Sequence, residues 1–138
     1  MRLFIVVLLL QVVAISCSRG AFDLSRCHRI PATEASELVR QMDIGELTGI
    51  RNIMAVKSAD TDFWFVAMDL EGPGLDSNTD IAVWATEVID PLQGPFIPVD
   101  ELALRYSGVS AIVPESPFLP ETDGIAESAR CSRYIGAQ

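Results

Sequence analysis

The run TDFWFVAMDL, residues 61–70, constrains the fold more than any other part of the chain. Read with the two-residue period of a β-strand, it places Phe63, Phe65 and Ala67 on one face and Trp64, Val66, Met68 and Leu70 on the other. Both faces are apolar, so the run predicts a central strand covered on both sides.

Its neighbours supply the rest of a sheet. IRNIMAVKS (50–58) and DIAVWATEVI (80–89) read as strands, and the short 58–60 turn and EGPGLDSNTD (71–80) make consecutive antiparallel hairpins the simplest connection. DPLQGPFIPVD (90–100) reads as a turn and a short edge strand, because Pro95 and Pro98 each remove a ladder donor. Residues 30–47 read as a helix with Thr33 as N-cap, Glu34 and Glu37 in the first turn and Gly45 as stop. Ala35, Leu38, Val39 and Met42 form its apolar face. Residues 100–108 predict a short helix closed by Gly108, and residues 123–136 a last helix with Asp123 as N-cap and Cys131 on its later turns. VPESPFLPETDG (113–124), with three prolines and little periodicity, reads as a surface loop. The expected fold class is α+β: a small antiparallel β-meander of three to four strands flanked by helices.

The N-terminus gives an address. Arg2 is followed by an apolar run, residues 3–15, broken only by Gln11. That length suits the core of an export signal and is short of the ~20 residues a bilayer span needs. The expected organisation is a signal peptide at 1–16, a tether at 17–26 and one α+β domain at 27–138. Without Arg2 the chain has nine basic and nineteen acidic residues, a net charge of −10. Such a field repels nucleic acid and anionic lipid surfaces, which leaves a membrane accessible only through a lipid.

Cys27 and Cys131 lie near opposite ends of the exported part, and in an oxidising compartment they are expected to pair. Closing so long a loop stabilises by at most about 4.7 kcal/mol in the chain-entropy picture. Cys17 is then the odd thiol. VAISC (13–17) resembles the bacterial lipobox, in which small or apolar residues precede an acylated cysteine, although Ala14 stands where leucine is usual. Cys17 is therefore expected to be the lipid-modified first residue; ordinary cleavage after AIS, or a few residues later, is the rival and gives a freely secreted protein.

Residues 63–108 resemble small exported (lipo)proteins of actinobacteria. These share a hydrophobic strand, an acidic or Gly-rich turn, a VWAT-like strand (Val83 to Thr86 here) and GPFIPVDELA (94–103) leading into a short helix. The resemblance implies export and fold. It carries no assigned reaction and supplies no catalytic residues.

Sites for chemistry are sparse. His28, the one histidine, directly follows Cys27, a poor place to build a catalytic triad, and three cysteines with one histidine at these spacings form no zinc motif. No metal or other cofactor is expected. Asp60 with Asp62, Asp69 with Glu71 and Glu121 with Asp123 could each flank a substrate, but at strand ends and loops such residues usually solvate the surface. Asp76, Asn78, Asp80 and Glu87 match positions 1, 3, 5 and 12 of a calcium loop, yet position 6 is Ile81 instead of glycine. A strand over 81–86 would also carry Glu87 about 20 Å from Asp80, so a plain turn with at most millimolar calcium affinity is expected. Trp64 and Trp84 could stack a sugar, but their aliphatic neighbours favour core packing. EGPG (71–74) lacks the Lys-Ser/Thr of a phosphate loop.

Two function classes follow. The first is a non-catalytic envelope protein binding an unidentified protein or small ligand through its sheet edge or the 113–124 loop. The alternative is a secreted carboxylate-dependent hydrolase, disfavoured because no constellation of residues supports it.

Overall fold

The computed structural model describes residues 22–76, 79–108 and 116–138. The expected signal peptide, Cys17, Asn78 of the calcium pattern and the first part of the 113–124 loop lie outside the described residues.

A 3-10 turn, Leu24–Arg26, leads into β1 (His28–Arg29), α1 (Ser36–Gln41), β2 (Gly49–Lys57), β3 (Trp64–Glu71) and β4 (Ile81–Thr86). Then come β5 (Val88–Ile89), β6 (Leu92–Gln93), β7 (Ile97–Pro98), α2 (Glu101–Arg105) and α3 (Ile125–Gly136). The main sheet has the order β1-β2-β3-β4-β7 with every pair antiparallel, and β5 with β6 forms a separate hairpin. The class is α+β, a β-meander with helices on both faces.

β3 is central, and its two apolar faces go where their alternation puts them. Val66, Met68 and Leu70 join Ala55, Ala82 and Trp84 beneath Leu38 and Met42 on the α1 side and Ala103 and Tyr106 on the α2 side. Phe65 and Ala67 join Val83 and Ala85 on the other face, against Ile125 and Ala129 of α3 and Phe118. Burying each large side chain of this kind stabilises by roughly 1.5–3 kcal/mol. Phe118 meets Phe63 and Phe65 edge-on at 5.1 and 5.2 Å between ring centroids, so part of the expected surface loop is pinned to the sheet.

Several elements differ from the sequence expectation. α1 is shorter than 30–47, and Thr33 does not cap it; Ala35 precedes it with no side-chain cap, while Glu34 and Ala35 donate to the Pro31 carbonyl in a preceding turn. At its end Met42 turns extended and bridges to Ser107, with Asp43 N donating to Tyr106 O and Gly108 N to Gln41 O. A long-range pairing ends the helix before Gly45 can. The 80–89 strand stops at Thr86, whose buried hydroxyl donates to the Gln93 carbonyl, and the chain folds back as β5 and β6. β7 is the proline-bearing edge strand, with Pro98 opposite Trp84.

Asp123 does not cap α3. Gly124 occupies that position with φ +96°, and Glu127 reaches back to accept from its N–H. Glycine is required there: a Cβ would lie 2.9 Å from Phe65 Cδ2 and in a left-handed conformation. The 17–26 tether is docked from Phe22 onward. Phe22 packs with Met54, Val56 and Cys131, and Arg26 bonds to Asp123.

Candidate functional site

Cys27 and Cys131 are bonded, with a Cα–Cα distance of 5.7 Å. Beside the bond, Arg26 Nη2 reaches Asp123 Oδ2 at 2.6 Å and also donates to the Lys57 carbonyl, while Ala59 N donates to Asp123. The Arg26 guanidinium, helped by the Ala59 N–H, holds the Asp123 carboxyl below its ordinary value. The N-terminal segment, the β2–β3 turn and the start of α3 are thereby fastened at one place.

At the β2 edge, β1 pairs only with Met54 and Ala55, which leaves the first residues of β2 without a strand neighbour on that side among the described residues. Here Ala32, Val39, Ile44, Leu47, Ile50 and Ile53 line a mostly apolar cavity of about 250 Å³. Ile44 is an exposed large hydrophobic residue at its mouth. A hollow of this size accepts an apolar side chain or part of an acyl chain. A polar hollow of about 520 Å³ nearby is lined by Asp43, Glu46, Arg105 and Tyr106, and Arg105 also borders one of about 260 Å³ with Asp80 and Glu101.

Each carboxylate pair has at least one member engaged structurally. Asp60 accepts from Asp123 N, and Asp123 is held by Arg26. Asp69 and Glu71 share Arg51, at 3.7 and 2.6 Å. Asp69 corrects the expectation of a surface-solvating pair. It continues the Phe65–Ala67 face and is buried, with Oδ2 accepting from Asn52 Nδ2 at 3.3 Å and Oδ1 without a hydrogen-bond partner. Burial pushes its carboxyl above the ordinary value, against the pull of Arg51. Asn52 has φ +51° where the β2–β3 register slips between Arg51 and Met54. Ser132 Oγ donates to its carbonyl at 2.7 Å, and a Cβ on Gly136 would lie 2.6 Å from its Nδ2, so the end of α3 seats directly on the bulge.

Asp100 is the other carboxyl raised by burial. It is fully used: Oδ1 accepts from Ala103 N as the α2 N-cap and Oδ2 from Val83 N, tying α2 to β4. Neither Asp69 nor Asp100 lines one of the cavities just described.

Trp84 is core, its Nε1 donating to Ser107 Oγ at 3.0 Å, while half-buried Trp64 is met edge-on by His28 at 5.0 Å and by the Lys57 ammonium at 5.8 Å. His28 is exposed. Asp80 Oδ2 accepts from Asp76 N in the 71–80 turn, and β4 separates Asp80 from Glu87. Among the described residues no three His, Cys, Asp or Glu side chains gather as metal ligands, and no helix is long and apolar enough to cross a membrane. The β2-edge cavity was not foreseen; Ile44 and Leu47, apolar residues on both sides of the expected helix stop at Gly45, were its one sequence signal.

Comparison with protein-family models, curated proteins and solved structures finds no match to the chain.

Proposed function

We propose that this chain is an exported, lipid-anchored, non-catalytic envelope protein that holds a protein segment or small ligand at the apolar β2-edge cavity. The Cys27–Cys131 bond carries the reading: a disulfide suits an oxidising compartment and leaves Cys17 as the one unpaired cysteine, directly behind an apolar N-terminal run. The cavity supports binding because its lining is apolar, it opens at a sheet edge, and Ile44 stands exposed at its rim. A carboxylate-dependent hydrolase has less support, since the carboxyls of Asp69 and Asp100, raised by burial, do not line the described cavities.

Intact-mass measurement of the protein from its native host tests the address. The expected product begins at Cys17, carries acyl mass and lacks two protons for the disulfide. A water-soluble product beginning beyond Cys17, or at an unmodified Cys17, overturns the anchor. Sprayed under native conditions, the same preparation is expected to retain a non-covalent ligand that an Ile44→Asp variant loses.

A further inference from the structure

The net charge hides a segregation. Residues 30–124 carry four basic and seventeen acidic side chains, whereas 22–29 and 125–138 together carry Arg26, Arg29, Arg130 and Arg133 against only Asp23 and Glu127. The disulfide fastens these two basic segments to each other. Their acids are engaged locally, Asp23 by Ser25 and Glu127 by Gly124 N–H. Arg26 is taken by Asp123, and no ion pair among the described residues holds Arg29, Arg130 or Arg133.

The same surface exposes apolar groups. Leu24 and Tyr134 are 44% and 41% exposed, and half-buried Phe22 packs against Tyr134 at 6.1 Å. Arg130 and Arg133 stand on the outer side of α3, away from buried Ser128, Cys131 and Ser132. Arg29 pairs with Met54, which packs with Cys131, so it lies on the α3 side of the sheet. Arginines interspersed with an aromatic and an aliphatic side chain suit the headgroup region of a bilayer.

We propose that this face, built from the N-terminal segment and the outer side of α3, docks the tethered domain onto an anionic phospholipid surface. This rests on the lipid anchor at Cys17 proposed above. Only five residue steps separate Cys17 from Phe22, a reach of at most about 18 Å, so an anchored domain keeps this face beside the membrane. Tethering raises the local concentration into the millimolar range, where a few basic contacts suffice, although they could not recruit the free protein. Asp123 and Asp60 meet the face only at its Arg26 end; at 1.5 Å per helical residue Asp123 lies about 10 Å along α3 from Arg130 and about 15 Å from Arg133, and the acidic remainder does not cancel these two. A domain of this size has a radius of gyration of about 13 Å, while charge is screened over about 8 Å at physiological salt. The charge repulsion expected from composition therefore governs the free protein, and the local patch governs the anchored one.

The test bypasses native acylation. In the mature chain, residues 17–138, Cys17 is the one thiol outside the disulfide, and it couples to maleimide-headed lipid in vesicles. Tyr134→Trp reports contact with brominated acyl chains over the signal of Trp64 and Trp84, and Val88→Trp, at an exposed position of the β5–β6 hairpin whose Leu92 packs on the α1 side of the sheet, serves as the control away from the face. In vesicles of one-third phosphatidylglycerol, quenching at position 134 is expected to exceed that at 88 several-fold and to vanish in pure phosphatidylcholine. Arg130→Gln with Arg133→Gln is expected to reduce the docked population at least about tenfold. Both arginines are exposed, and an unchanged disulfide mass and far-ultraviolet dichroism verify folding. Equal quenching at the two positions, persistence in phosphatidylcholine, or indifference to the arginine changes overturns the proposal. An unmodified native Cys17 would instead end the lipoprotein reading and leave the vesicle result standing.

Discussion

On the face beneath α1 and α2, the sheet presents Val66, Met68, Leu70 and Trp84, and the covering side chains include Leu38, Met42, Phe96 and Tyr106. On the opposite face it presents Phe65, Ala67, Val83 and Ala85, and the buried residues of α3 are Ser128, Cys131 and Ser132. The first face closes by filling volume. The second lets a helix of small residues approach closely and secures it with a covalent bond, the Arg26–Asp123 pair and the Ser132–Asn52 hydrogen bond. It also contains the buried carboxyl of Asp69. One strand can thus be covered by two different physical means, and the means decide what each face tolerates.

The largest effect is expected from emptying the volume-filled face. Trp84→Ala removes a fully buried ring and its bond to Ser107, and should cost about 3–5 kcal/mol in urea-induced unfolding. A loss below ~1 kcal/mol would mean that packing does not hold this face. Next comes the covalent fastening. Cys27→Ser with Cys131→Ser should cost about 3 kcal/mol, and amide exchange should accelerate in α3 and β1 well before α2. Uniform acceleration over both faces would erase the contrast.

The smallest effect is electrostatic. Because burial raises the Asp69 carboxyl in the folded state, its favourable contribution is fully present below the ordinary unfolded value and is lost as pH rises through the raised folded one. Asp123 has the opposite sign: its contribution is present above the unfolded value and is lost as pH falls through the lowered folded one. Asp69→Asn should therefore stabilise by about 1 kcal/mol at neutral pH, while Glu71 keeps Arg51 paired. Urea midpoints across pH should show the gain shrinking on acidification. A gain independent of pH would show that Asp69 does not carry this titration.

The sequence made the centre of the molecule legible because its signals there are local. Alternation in 61–70 assigned both faces of β3, the prolines marked β7 as an edge, and the positions of Cys27 and Cys131 predicted their bond. What stayed hidden depends on distant partners. Met42 leaves its helix to meet Ser107, and Thr86 ends β4 by bonding to Gln93. The bulge at Asn52 is held by α3, some 80 residues later, which seats on it. Asp69 was readable in part: it lies in phase with Phe65 and Ala67 on a strand apolar on both sides. Nothing local indicated that its second oxygen would lack a partner. The β2-edge cavity was equally opaque, since the chain around Ile44 and Leu47 was expected to be helix to Gly45.

The position of the disulfide also determines how the protein carries mechanical load. A pull between residues before Cys27 and residues after Cys131 passes through one sulfur–sulfur bond, with a sequence separation of 104 spanned by the shunt. The sheet lies inside that closed loop, so the tension falls first on contacts made from outside it: Phe22 against Met54 and Val56, Arg26 with Asp123 and Ser132 with Asn52. A domain held at one end and gripped beyond Cys131 would yield those outer contacts to force, while its sheet would open only after covalent chemistry cut the bond.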